Sequence, residues 1–118
     1  MNLLEKLERE KDLMDINNIC PISYGLAQQC ANLLSDKMND KFNVFTSSKP
    51  NSNEYIFEFY LDDDTQYIDI AFDKTNSASI YYKKRANKND IDGIKSIYLD
   101  KVYLDDLFEI IDGLIELH

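Results

Sequence analysis

The sequence predicts an α+β domain: two N-terminal helices, an antiparallel β-meander of four to five strands, and a C-terminal helix packed on one face of the sheet. Three observations predict it. Residues 54 to 73 set Tyr55, Phe57 and Phe59 at alternate positions before a polar turn, Asp62-Asp63-Asp64-Thr65, and Ile68, Ile70 and Phe72 at alternate positions after it, the period of a hairpin with one buried face. Leu104, Leu107, Phe108, Ile111, Leu114 and Ile115 recur at helical spacing. The 118 residues are 44% hydrophobic and 30% charged, a globular balance in one domain long enough to bury a core without disulfides or metal.

The first helix spans Leu3 to Ile16, with Leu3, Leu7 and Met14 near one stripe and Leu4 beside it; the stripe is thin, so a peripheral helix is expected. Pro21 interrupts, and Ser23 is placed to cap a second helix carrying Leu26, Ala27, Cys30, Leu33, Leu34 and Met38. The period then changes to two at Phe42-Asn-Val-Phe-Thr46, and Lys49 to Asn53 reads as a loop leading into the hairpin. Folded about a four-residue turn, the hairpin pairs Phe57 with Ile70 and Phe59 with Ile68 on a core face, and Glu58 with Asp69 and Tyr60 with Tyr67 on the other. Lys74-Thr-Asn-Ser77 is a second turn, with Asn76 in the left-handed position, after which Ile80 and Tyr82 join the core face, Tyr81 comes beside Asp69 and Lys83 beside Tyr67. Lys83 to Gly93 has no periodicity and reads as a mobile loop. Ser96 to Val102 reads either as a fifth strand with Ile97 and Leu99 inward or as a connector. In the last helix Asp105 and Asp106 occupy the first turn, where the helix dipole favours negative charge.

Chemistry is sparse. The one histidine, His118, is the terminal residue, which leaves no ordered imidazole for a general base or metal ligand. No G-x-S-x-G or P-loop motif is present, and Gly25, Gly93 and Gly113 are too scattered to cradle a phosphate. A glycosidase needs two acids, but also a cleft that a module of this size has little room to form. Asp62-Asp63-Asp64 and Asp90-Ile91-Asp92-Gly93 lack the order and the closing glutamate of a calcium loop and read as turns. Cys20 and Cys30 have no metal-binding spacing and read as buried thiols. The expectation is a protein that is not an enzyme, with no catalytic, cofactor or metal residues.

Charge points to a protein partner. Asp and Glu number 22 against 13 Lys and Arg, a net charge of -9, which argues against nucleic acid or an anionic membrane as ligand and for a basic protein. The basic run Lys83, Lys84, Arg85, Lys88 reads as a solvated loop. On the outer sheet face, Glu58, Tyr60, Tyr67, Asp69 and Tyr81 form one acidic, aromatic patch suited to partner binding. Opposed carboxylates cost a sheet roughly 0.2 to 1 kcal/mol, so folding alone gives no reason to place them there. The competing reading covers this face with the first helix. Residues Met1 to Glu10 carry acids where a signal peptide is basic and apolar, and no apolar run approaches the ~20 residues of a membrane helix; action in the cytoplasm, away from membranes, is expected.

In size, acidity and layout the chain resembles the immunity proteins of bacterial polymorphic and contact-dependent growth-inhibition toxins. The tyrosine-rich acidic meander from residue 42 and the helix Leu104-Asp-Asp-Leu-Phe-Glu-Ile-Ile-Asp-Gly-Leu-Ile-Glu-Leu117 carry the likeness. The resemblance implies a module that binds a cognate basic toxin domain and blocks its active site. Two alternatives share the size and charge: a dimeric secretion chaperone that holds an effector segment against its sheet, and a phage-type nucleic-acid mimic, whose acids should run in a less interrupted line.

Burying six side chains of the last helix contributes on the order of 9 to 18 kcal/mol, at roughly 1.5 to 3 each, before chain entropy. Ending the chain before Asp105 is therefore expected to abolish cooperative unfolding, as followed by circular dichroism through a urea titration.

Overall fold

The computed structural model describes residues 2–34, 41–48, 53–63, 66–84 and 95–116. Helix α1 (Leu3–Asp12), a single 3-10 turn (Ile16–Asn18) and helix α2 (Pro21–Leu33) precede strands β1 (Asn43–Ser48), β2 (Tyr55–Asp62), β3 (Gln66–Phe72), β4 (Ala78–Lys84) and β5 (Lys95–Val102), and helix α3 (Leu104–Glu116) follows. The strands form one antiparallel sheet in the order β1-β2-β3-β4-β5. Met38, the loop segments 49–52 and 85–93, and His118 lie outside the described residues; of the stretch read as a mobile loop, Lys83 and Lys84 end β4.

Alternation along the strands divides the sheet into two faces. Phe57, Phe59 and Leu61 of β2, Ile68, Ile70 and Phe72 of β3, and Ala78, Ile80 and Tyr82 of β4 are buried in a single core with residues of all three helices. Within it, the Phe59 and Phe72 rings meet edge to face at 4.8 Å, a preferred aromatic geometry. Helix α1 packs on β1 and α2, α2 on β2 and β3, and α3 on α2 and β4. All three helices thus serve the same face.

Helix α1 is not peripheral. Leu3 and Leu7 are fully buried, one helical turn apart, and Asn2 caps the start by accepting from the Glu5 N–H at 2.8 Å. The helix stops at Asp12, so Met14 lies beyond it, near Thr46 Oγ1. Helix α2 begins at Pro21 instead of after Ser23, because proline's fixed φ suits the first helical position and its missing N–H is not needed there. Ser23 has another task. Strand β2 runs past the end of its pairing with β3, and there Ile19 forms a parallel bridge with Tyr55, Cys20 N–H donates to the Tyr55 carbonyl at 3.0 Å, and Phe57 N–H donates to Ser23 Oγ at 2.8 Å. Buried backbone donors need such partners.

The register of β2 with β3 differs by two residues from the expected one. Phe59 lies opposite Ile70, Leu61 opposite Ile68 and Tyr60 opposite Asp69. A tighter reversal explains the shift: Asp63 N–H donates to the Gln66 carbonyl at 3.0 Å, leaving two connecting residues where four were expected. Asp63 also accepts from Gln66 N–H through Oδ1 and from Gln66 Nε2 through Oδ2, at 2.9 and 3.1 Å. The next reversal is as expected: Asn76 has φ 62°, and Asp73 N–H closes onto the Ser77 carbonyl at 2.9 Å, setting Tyr81 opposite Asp69 and Lys83 opposite Tyr67.

Strand β5 is regular until Asp100 and Lys101 oppose the single Ser79, a bulge in which Lys101 takes φ 55°. The extra residue keeps both Leu99 and Val102 toward the core. Ile97 opposes Tyr82 but is 44% exposed at the sheet edge, and on the helices Leu33 and Phe108 are likewise exposed where burial was expected. Ile110 packs on the core beside Leu107 and Ile111 instead. Cys20 and Cys30 are free, buried thiols, and burial pushes Cys30 up to about 12.

Ser23→Ala removes the acceptor of the buried Phe57 N–H with little change of volume. It is expected to destabilise the fold by about 1 to 3 kcal/mol, measured as a lower urea midpoint with unchanged slope.

Candidate functional site

The outer face of the sheet carries the side chains that folding does not use. Register places Asn43, Tyr60, Asp69, Tyr81 and Tyr98 in one line across all five strands. Toward the β2–β3 turn the next line is Asp62, Tyr67, Lys83 and Ser96, and on the other side it is Phe45, Glu58, Ala71 and Ser79. At its β1 end, Lys6, Arg9, Glu10 and Leu13 line a groove with Asn43 and Tyr60; the buried side chains of the helices join the opposite face. The reading in which the first helix covers it is corrected by the burial of Leu3 and Leu7 with the opposite set of side chains.

Glu58, Tyr60, Tyr67, Asp69 and Tyr81 do come together, although not in the expected pairs. Glu58 opposes Ala71 and meets Asp69 on the diagonal, because the tighter turn moved β3 along β2. Ser47 Oγ donates to Glu58 Oε1 at 2.8 Å, and Tyr67 Oη donates to Asp69 Oδ2 at 3.3 Å. Across that diagonal the two carboxyls lie close enough for the charge of Asp69 to raise Glu58. Rings enclose them: Phe45 meets Tyr60 edge to face at 5.1 Å, and Tyr67 meets Tyr81 at 6.1 Å. A depression of about 390 Å³ lined by Asp62, Gln66, Tyr67, Tyr81 and Lys83 opens beside the pair.

Electrostatics follow from this crowding. Burial pushes Glu58 up to about 6, with the charge and hydrogen bond of Asp69 adding to the shift and Ser47 opposing it. Asp69 is also raised by burial, with Glu58 and Tyr67 pulling against that shift. Burial, the charge of Asp69 and its hydrogen bond raise Tyr67 to about 12, so its hydroxyl is a donor at every physiological pH.

Three residues escaped the sequence reading. Tyr98 opposes Tyr81 and is 64% exposed; the alternation that turns Ile97 and Leu99 inward already implied it, had the segment been read firmly as a strand. Phe45 and Ser47 share the face from β1, for which the only signal was their position between inward-facing neighbours. Of the basic run, Lys83 stands on this face and Lys84 ends β4, while Arg85 and Lys88 lie outside the described residues. Among the described residues no group of three or more His, Cys, Asp or Glu could hold a metal ion, and no helix is long and apolar enough to cross a membrane. Comparison with protein-family models, with curated proteins and with solved structures returned no match.

The sign of the pH effect is unusual for a carboxylate. Glu58 binds its proton more tightly in the folded chain than the ordinary 4.5 would allow, so its contribution to stability is full below about 4.5 and declines as pH rises through about 6. The difference in urea stability between the wild type and Glu58→Gln is therefore expected to move toward the variant over that window, and to be flat above and below it.

Proposed function

We propose that the chain is an acidic protein-binding module that acts as an immunity protein, capturing a cognate basic bacterial toxin domain on the outer sheet face and blocking its active site. The observation that carries this reading is the division of the sheet. One face buries the core beneath three helices, and the other sets two neighbouring carboxyls among four tyrosines, of which Tyr81 and Tyr98 are exposed.

Physical chemistry says what such a face does well. Tyrosines supply large, rigid contact area at low entropic cost, and carboxylates steer and orient a cationic partner. A net charge of -9 adds a long-range field of the same sign. The carboxyl pair is a liability in the free protein, where desolvation and mutual repulsion oppose its ionisation; a lysine or arginine brought against it removes that liability. The reading assigns Glu58, Tyr60, Tyr67, Asp69 and Tyr81 to the interface, with Tyr98 at its β5 end, and no catalytic role to any residue. It places the protein in the cytoplasm of a bacterium, where a toxin acting inside the cell would be met.

The test pairs the protein with the basic toxin domain encoded directly before it. A one-to-one complex by size-exclusion chromatography with light scattering is expected, weakening with salt and abolishing the toxin's activity. Glu58→Lys with Asp69→Lys should leave urea unfolding cooperative and lose at least ~2 kcal/mol of affinity per reversal, the scale of interfacial hot spots. A reversed double variant that binds and neutralises like the wild type would overturn the proposed surface.

A further inference from the structure

The arrangement of atoms around Glu58 and Asp69 carries a consequence for how docking is regulated. Ser47 Oγ occupies Glu58 Oε1, and Tyr67 Oη occupies Asp69 Oδ2. Asp69 Oδ1 is buried and meets no N–H or hydroxyl donor among the described residues. Such an oxygen is costly to leave bare, and a proton on the neighbouring Glu58 carboxyl is what can fill it. Neither carboxyl is held by a cation among the described residues.

We infer that at mildly acidic pH Glu58 and Asp69 hold one proton between them in the free protein, and that a basic side chain of the docked partner displaces this proton to solvent. The inference rests on the docking reading above and adds its regulation. The balance is simple: an acid–carboxylate pair and an ammonium or guanidinium ion become two carboxylates facing that cation, and one proton passes to the buffer. Binding therefore tightens as pH rises and releases a proton at mildly acidic pH.

The strand neighbours of the pair fit this assignment, and from α1 the charged Lys6, Arg9 and Glu10 line a groove with Asn43 and Tyr60. From β1 it meets Ser47 and Phe45, neither of which titrates; from β2, Tyr60 and, further along, the acid Asp62; from β3, Tyr67 and Ala71. From β4 come Tyr81, directly opposite Asp69, and Lys83, which stands one line away against Tyr67. The tyrosine hydroxyls and a third acid do nothing to help both carboxyls ionise, and Lys83 is set against a different residue. Desolvation acts in the same direction, raising both members of the pair.

Two measurements test the inference. Carbon-detected NMR of the side-chain carboxyls in the full chain should show a Glu58 step near pH 6 that Asp69 also senses, the signature of a coupled pair. A lysine-only oligopeptide then serves as the docking probe, titrated at about pH 5 and about pH 7.5 in two buffers of different ionisation heat. The expected result is roughly tenfold tighter binding at the higher pH and release of close to one proton at the lower, from the linkage of one such group, with both effects lost in Glu58→Gln. Independent carboxyl steps near the ordinary range of about 4, or equal affinity at the two pH values with shifts on the outer face, would overturn the shared proton and leave the docking surface standing. A peptide that perturbs no outer-face residue at either pH would overturn the docking reading and this inference with it.

Discussion

The reversal between β2 and β3 sets the geometry on which the outer face depends. Asp63 closes it three times over, through its own N–H to the Gln66 carbonyl and through both carboxylate oxygens to Gln66 nitrogens. A side chain that accepts from the backbone across a turn mimics a backbone hydrogen bond and selects one turn length. Because side chains alternate with period two, moving β3 by two residues preserves which residues are buried and changes only who meets whom. The core tolerates either register, since Phe59 opposes an isoleucine in both. The outer face does not: with the observed register Asp69 sits beneath Tyr60 and Tyr81, and Glu58 reaches it diagonally.

The second organising constraint is the accounting of backbone donors at the start of β2. Where β3 ends its pairing, Ser23 and the segment around Ile19 and Cys20 take over. That ties the N-terminal helices to the same side of the sheet as α3, and Leu3 and Leu7 complete the burial. A sheet covered by three helices on one side has no further element among the described residues to cover the other. The open face is therefore a product of where the backbone hydrogen bonds go, as much as of the polarity of its side chains.

What the sequence made legible follows the strength of local signals. The β3–β4 turn was readable to the residue because Asn76 is one of the few residue types that accept a left-handed conformation, and that register came out as observed. The β2–β3 turn was not, because four consecutive polar residues permit loops of two or four, and among the described residues it is the contacts between Asp63 and Gln66 that mark the shorter one. Ser23 was read as a cap from its residue type, a local rule that a long-range bond to Phe57 overrode. The thin stripe of α1 understated its burial, since two leucines suffice when β1 and α2 both press on them. Glu58, Tyr60, Tyr67, Asp69 and Tyr81 could be assigned to one face by period alone, whereas the contacts among them, and the part of Tyr98, needed the register and the fifth strand.

A pair of half-buried carboxyls on one diagonal in the middle of a sheet is hard to explain by stability. In the free chain the pair opposes folding more strongly the more it ionises, and an amide or a hydrophobic residue at either position would relieve that without disturbing the core face. Its neighbours compound the problem: Tyr67 and Tyr81 flank the acids while offering no positive charge. On the proposed reading these features turn favourable when a cation docks: the two acids that repel each other alone attract it together, and the same desolvation that raised Glu58 strengthens their hold on it. A surface that is strained alone and relaxed when occupied by a basic side chain discriminates by charge as well as by shape, because a neutral or acidic partner inherits the strain.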